Sequence, residues 1–319
     1  KSSCITFPRH WRVIEDQDIA GVLHKQYDIV FFLNWACLPE FDKGSKCKLV
    51  YDFFSPSMVE HAFIASRDEL QQRRERKLAL LEMADLFIAN GVGRQQYARE
   101  FIKQNKLRCD QVPVLSVPLS LEWSGRDATH QLPTTLFFGG FSQAWITGLK
   151  YKDLLAISHQ TGTRIVIIGH GQTTHSEFCP IDSHNTMLDR RLPSDIVEYD
   201  IVPYETFSSL NAASHIGLDV FEENNERQLS YSTRAVTSLS CGCPIITMDF
   251  TEIGQMVNKL DAGWTLSSFS VDNLIKIIQE IQSDPSVIEI KRRNTKLFWK
   301  TCCHPVKNVQ PLVTALKEL

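Results

Sequence analysis

The sequence predicts an α/β protein built from two doubly wound parallel-sheet domains. Three observations lead there. Short apolar runs alternate with amphipathic stretches along most of the chain, the pattern of strand–helix–strand units. The alternation stops in a polar, aperiodic stretch holding Gly125, Asp127 and Pro133, and then restarts. A length of 319 residues favours two domains over one. Together these place a first domain at 1–120, a linker at 121–134 and a second domain at 135–319.

In the first domain, Tyr27–Leu33 and Lys48–Asp52 read as buried strands. A long charged helix is expected over about 57–84, with the run at 71–77 on its solvent side. Ala84–Ala89 reads as a third strand, Arg94–Asn105 as a helix and Gln111–Val117 as a short fourth strand. No strand with a Gly-rich loop opens this domain. It is short, and is read as truncated, with its first strands missing, replaced or donated from elsewhere.

In the second domain, Thr135–Phe138 is a strand ending in Gly139-Gly140, and Arg164–Ile168 a strand ending in Gly169-His170-Gly171. Ile196–Val202 and Ile216–Phe221 read as strands, with a helix at Tyr204–Ser214 between them. Val271–Ser283, Val287–Trp299 and Val306–Leu319 read as closing helices.

Composition narrows the function. Hydrophobic content of 43% and charged content of 22% are those of a soluble globular protein. A net charge of −3 gives no basic field for nucleic acid. The longest apolar run, near Ile29–Leu38, is too short to span a bilayer, which needs about 20 apolar residues. The nine cysteines include no Cys-x-x-Cys pair, and no His has metal-ligand spacing, so no metal site is expected. Reduced thiols fit a cytoplasmic protein. The chain opens on Lys1 rather than Met, which leaves open whether it is a fragment of a longer chain or a trimmed one.

Residues 226–246 carry the most information. Ser230 or Ser232 can cap a helix whose apolar face is Ala235, Val236 and Leu239. Gly242 suits a left-handed C-terminal cap, Pro244 stops the helix, and Ile245-Ile246 opens a strand. A helix N-terminus among polar residues in an α/β pattern is an anion site. Arg234 adds a fork that matches phosphate. Gly139-Gly140, directly after a strand, lets backbone amides approach a ligand. Each feature has an ordinary reading too: plain capping, an ion pair with a local Glu, a tight turn.

This stretch resembles the GT-B glycosyltransferases, in particular the family-4 retaining enzymes (glycosyl transferases group 1). The closer likeness is to a branch with Glu-x-x-x-Ser-Phe-x-Thr-Arg before the helix, matched by Glu226, Ser230, Tyr231, Thr233 and Arg234. Where that family has a carboxylate for the donor's ribose, five residues before the Gly, this chain has Thr237. Asp52-Phe-Phe-Ser55-Pro with Glu60 resembles the branch's Asp-Leu-Tyr-Asp-Pro…Glu element, and Asn90-Gly-Val-Gly-Arg94 its post-strand loop. The resemblance implies transfer of a sugar from a nucleoside diphosphate donor to a hydroxyl of a glycan, lipid-linked glycan or protein acceptor, with retention and without a metal or other cofactor. It implies that Gly139, Gly140, Ser232, Thr233 and Arg234 hold the diphosphate. Glu226 would hold the sugar, with Tyr204 beside the base. Asp52, Ser55, Glu60, Asn90 and Arg94 would line the acceptor side. It also implies that the last helices cross back to the first domain.

His170, between two glycines after a strand, is the best placed of the lone histidines for a catalytic or positioning role, although a lone His is more often structural. The basic runs at 71–77 and 291–300 are candidates for peripheral membrane contact, or simply solvated helix faces. Two other functions compete. A degenerate module that binds nucleotide, glycan or partner without turnover is favoured by Thr237, Ser55 and the short first domain. A nicotinamide oxidoreductase is disfavoured, because no Gly-x-Gly-x-x-Gly follows a strand.

Overall fold

The structure, a computed structural model, describes residues 27–32, 46–53, 57–107, 111–125, 133–139, 146–168, 195–199 and 202–319. It contains two parallel sheets. The first has β1 (Ile29–Phe32), β2 (Lys48–Phe53), β3 (Leu86–Ala89) and β4 (Val114–Ser116), side by side in chain order. The second has β5 (Thr135–Gly139), β6 (Arg164–Ile168), β7 (Ile196–Tyr199), β8 (Ile216–Asp219), β9 (Ile245–Met248) and β10 (Gly263–Leu266), in the order β10-β9-β8-β5-β6-β7. Strand order reverses between β5 and β8. In open α/β sheets, ligands bind at such a switch point, outside the C-terminal strand ends.

Alternation along each strand explains why these runs are apolar throughout. In β3, Phe87 and Ala89 face Leu80, Leu81, Ala98 and Ile102. Leu86 and Ile88 face the opposite way, against Leu312. Both faces are covered, as a parallel sheet requires. The second cover is α11 (Pro305–Glu318), the last helix of the chain, whose Leu312, Ala315 and Leu316 pack on the first sheet. The chain returns there through α10 (Ser286–Phe298) and a π turn at Trp299–Cys303. Trp299 lies against Trp123, ring centres 5.9 Å apart, and donates from Nε1 to the Leu121 carbonyl at 2.7 Å, so the segment at Leu121–Trp123 is pinned to this corner.

The helix expected over 57–84 is two helices, α1 (Ser57–His61) and α2 (Arg67–Leu81). Ser66 starts the second: its hydroxyl accepts from Glu69 N at 3.3 Å, while the Glu69 carboxylate accepts from Ser66 N at 2.8 Å. This reciprocal cap satisfies two amides that a continuous helix would have used internally. The solvent face expected for 71–77 also needs correcting at its end. Lys77 is fully buried, with its ammonium 5.0 Å from the Phe53 ring centre and 5.4 Å from that of Phe101. In the second basic run, Arg292 is likewise buried. It donates to the carbonyls of Gly242 at 2.9 Å, Ser214 at 2.8 Å and Ala212 at 3.3 Å, tying α10 to the sheet-side turns.

Other elements follow the expected spans within a few residues: α3 (Val92–Gln104), α5 (Tyr204–Ala212), α7 (Thr233–Ser240) and α9 (Val271–Ser283). Four further elements complete the fold: α4 (Tyr151–Thr161), α6 (Asn225–Leu229), α8 (Glu252–Leu260) and β10. The last is only four residues long, whereas α8 is amphipathic, capped by Thr251 and with Ile253 and Val257 buried. Among the described residues, no helix is long and apolar enough to cross a membrane, and the cysteines at 47, 241, 243, 302 and 303 are free.

Candidate functional site

The site is built where β5 and β8 end and α7 begins. Ser232 caps α7, accepting from Ala235 N at 3.3 Å. Ala235, Val236 and Leu239 are buried beneath, and Gly242 closes the turn after the helix at φ 79°, in the left-handed region. This arrangement holds the free amides of the first turn at the switch point, with Thr233 exposed on its outer side.

Arg234 lies in that first turn. Its guanidinium is 4.7 Å from the centre of the Phe138 ring, next to Gly139 at the end of β5. A guanidinium is weakly hydrated and stacks well on an aromatic face. Yet its Nε and Nη1 are buried without a hydrogen-bond partner. Burial holds the guanidinium below its usual value, the Asp219 carboxylate opposes that, and Arg227 adds to it. A buried unpartnered donor costs about 1–3 kcal/mol, more when charged. An oxyanion at the α7 N-terminus would satisfy both groups at once.

The other donor-side residues are placed as follows. Gly139 has no room for a side chain: a Cβ there would lie 2.6 Å from the Phe137 ring and 2.8 Å from Phe207. Tyr204 opens α5 and is 52% exposed. The Thr237 hydroxyl donates to the Thr233 carbonyl at 2.7 Å, inside its own helix. Ser230 ends α6. Tyr231 is turned to the seam between the two sheets, against Gly91. Gly140, His170 and Ser55 lie outside the described residues.

A second cluster spans the two domains. Glu226, in α6, is 1% exposed and forms an ion pair with Arg227. Arg227 in turn stacks on Phe221, 5.0 Å from its centre. From the first domain Arg94 reaches across and donates to the Leu229 carbonyl at 3.0 Å. Burial lowers Arg94, while Glu226, Glu60 and Asp52 support its charge. Asn90 is occupied: its carbonyl oxygen accepts from Leu119 N at 2.6 Å. Thus Asp52, Glu60, Arg94 and Glu226 come together, whereas Tyr204 and Asn90 stand apart from them.

Asp52, next to last in β2, faces this cluster. Burial pushes its carboxyl up from 3.8 to about 6, against the pull of Arg94. A carboxyl raised on folding binds more protons in the folded state, so its contribution is fully present below pH 3.8 and is lost as pH rises through about 6. Asp52→Asn should therefore flatten the fall in stability between about pH 4 and 6, and should add about 1–3 kcal/mol at pH 7. Urea midpoints across that window check this; identical slopes for variant and parent would remove Asp52 from the buried cluster.

Sequence reasoning missed Arg227, Phe138, Asp219 and Glu252. Glu252, at the start of α8, accepts from Val92 N and Gly93 N, each at 2.9 Å, and so caps α3 from the other domain. Its signal was invisible because the contact joins residues about 160 apart. Among the described residues, no group of three or more His, Cys, Asp or Glu is placed to hold a metal ion.

No protein-family model matches the sequence, and no curated protein matches it. Solved structures do. Sucrose-phosphate synthase from Thermosynechococcus elongatus superposes with a TM-score of 0.69 at 15% identity, over 94% of this chain and 75% of that one. HepE from Anabaena, in complex with UDP, gives 0.67 at 13% identity, over 95% and 82%. Trehalose 6-phosphate synthase from Burkholderia multivorans gives 0.62 at 9% identity, over 94% and 75%. These neighbours are GT-B glycosyltransferases. At such identities the likeness speaks for the fold, and it agrees with the two parallel sheets, the reversal at β5/β8 and the expected α/β class. The chain has the GT-B architecture.

Proposed function

We propose that the protein transfers a sugar from a nucleoside diphosphate donor to a hydroxyl acceptor, on a glycan or a lipid-linked glycan. The observation that carries this reading is Arg234: a guanidinium stacked on Phe138, with two buried donors unpartnered, at the N-terminus of α7. In this reading the helix amides and Arg234 stabilise the leaving diphosphate, so the protein itself supplies the positive charge the step needs. Glu226 and Arg94 hold the reacting face between the domains, with Asp52 and Glu60 on the acceptor side. Retention at the anomeric carbon, a cytoplasmic setting and contact with a membrane surface through the exposed Arg293, Lys296 and Lys300 belong to the same reading. HepE was solved with UDP and with UDP-glucose, which makes these the first ligands to try.

The test is thermal shift against UDP, GDP, dTDP, CMP, ADP and NAD, with and without EDTA. A ligand well above its Kd raises the melting temperature by mass action. A rise with one nucleoside diphosphate, unchanged by EDTA, is the expected result. No rise with any of them would abandon the donor site.

A second reading has its own observations. The Thr237 hydroxyl proton is committed to the helix, and Glu226 is closed off in an ion pair. Both features favour a module that binds a nucleotide without turning it over. Binding without transfer or donor hydrolysis would support it.

A further inference from the structure

Asp219, the last residue of β8, is 2% exposed, and its Oδ2 has no hydrogen-bond partner. A buried carboxylate oxygen left in this state is expensive, and such groups need an explanation. Its direction is fixed by the strand. Ile216 and Leu218 pack with Leu274 and Ile278 on one face. Gly217 lies on the other, where a Cβ would meet the Ser238 hydroxyl of α7 at 2.9 Å. Asp219 therefore faces α7 as well, beyond Gly217 toward the C-terminal end of the strand. Arg234 is one helical turn before Ser238, on the same side of α7.

The neighbouring strand repeats the pattern. Thr247 pairs in register with Asp219, and Ile245, two residues before it, packs with Ala235 and Leu239 of α7. The Thr247 Oγ1 is buried and also lacks a partner. Four unpartnered polar atoms thus meet at the α7 end of β8 and β9: Asp219 Oδ2, Thr247 Oγ1, and Arg234 Nε and Nη1. Asp219 is the leading opposite charge acting on Arg234, yet Oδ2, Nε and Nη1 all remain unbonded. The cluster offers donors and acceptors side by side. A simple oxyanion would satisfy Arg234 alone and would be repelled by Asp219. A ligand with a hydroxyl close to its oxyanion would satisfy all three residues.

We propose that Asp219 and Thr247 are the hydroxyl-recognising floor of the anion site at Arg234, so that the site selects a phosphate ester of a polyol over a bare phosphate. This rests on the donor-site reading and gives that site its selectivity. The hydroxyl has two sources in a nucleotide sugar, the ribose and the transferred sugar, and both meet the same chemistry.

Calorimetric titration of the full chain with pyrophosphate, UDP and UDP-glucose separates them. Asp219→Asn should leave pyrophosphate binding equal or tighter, and should weaken at least one hydroxyl-bearing ligand by roughly tenfold or more, the value of one hydrogen bond to a charged group. Weakening of UDP and UDP-glucose together assigns the hydroxyl to the ribose; weakening of UDP-glucose alone assigns it to the sugar. An equal change for all three ligands, in either direction, overturns the proposal and leaves Asp219 as a structural or purely electrostatic group. Thr247→Val keeps the side-chain shape and removes a hydroxyl that has no partner, so it should fold at least as well. It should weaken the same ligand by a smaller factor, and it decides the matter alone if Asp219→Asn fails to fold. If the parent chain binds none of the three, the donor-site reading itself falls, and this proposal with it.

Discussion

Replacing Arg234 by methionine is expected to abolish nucleoside diphosphate binding while leaving the chain folded. The guanidinium is buried on Phe138 with Nε and Nη1 unpartnered, a state that costs stability. Methionine keeps contact with the ring and removes those unpartnered donors, a gain that offsets the loss of the counter-charge acting on the buried Asp219. The anion, however, loses two charge-assisted hydrogen bonds of about 1.5–3 kcal/mol each, which is a hundredfold or more in Kd. Titration with UDP and a thermal melt of the same preparation measure both. Unchanged affinity would remove Arg234 from the site. A large fall in melting temperature would mean that the side chain is a structural pin, as Arg292 is through its three carbonyl contacts.

Arg234 and Arg292 also show what the sequence could and could not say. Each sits in an amphipathic helix, and nothing in the spacing separates an anion-binding guanidinium from a carbonyl-binding one. What separates them is which backbone groups approach from residues 50 or more positions away. The parallel sheets were readable because both faces of strands such as β3 and β9 are buried, which forces continuous apolar runs at Leu86–Ala89 and Ile245–Met248. The cap of α7 and the turn at Gly242 were readable because their chemistry is local. The break between α1 and α2 was also local, at Ser66 and Glu69, but the charged residues around it carried no apolar period to show the interruption. Asp219 read as part of an apolar strand, and only the register with Thr247 shows it shares a face with another unpartnered group. Glu226 read as the residue that holds the sugar, and neither its burial nor its ion pair with Arg227 in the short helix α6 was visible in the sequence.

The same distinction between local and long-range chemistry bears on how the two domains keep their geometry, where Gly91→Ala is expected to have the largest effect on stability. Gly91 precedes α3 at φ 91°, a backbone region that side-chain-bearing residues rarely adopt. A Cβ there would lie 2.6 Å from the Tyr231 ring and 2.8 Å from the Glu252 carboxylate, both belonging to the second domain. The methyl group would therefore push on the ring and on the carboxylate that caps α3 through Val92 N and Gly93 N. Backbone strain, the clash and loss of the cap together should cost about 3 kcal/mol or more. The consequences for activity should be unequal. Phe138, Asp219 and Arg234 all belong to the second domain, so UDP affinity should change little in the folded fraction. Asp52, Glu60 and Arg94 reach the site only through the seam, so sugar transfer should fall far more than donor binding. Urea unfolding, UDP titration and a transfer assay on one variant test the three parts of this expectation. Parent-like stability would show that the seam yields without cost, and equal losses of binding and transfer would show that the donor site itself depends on the first domain.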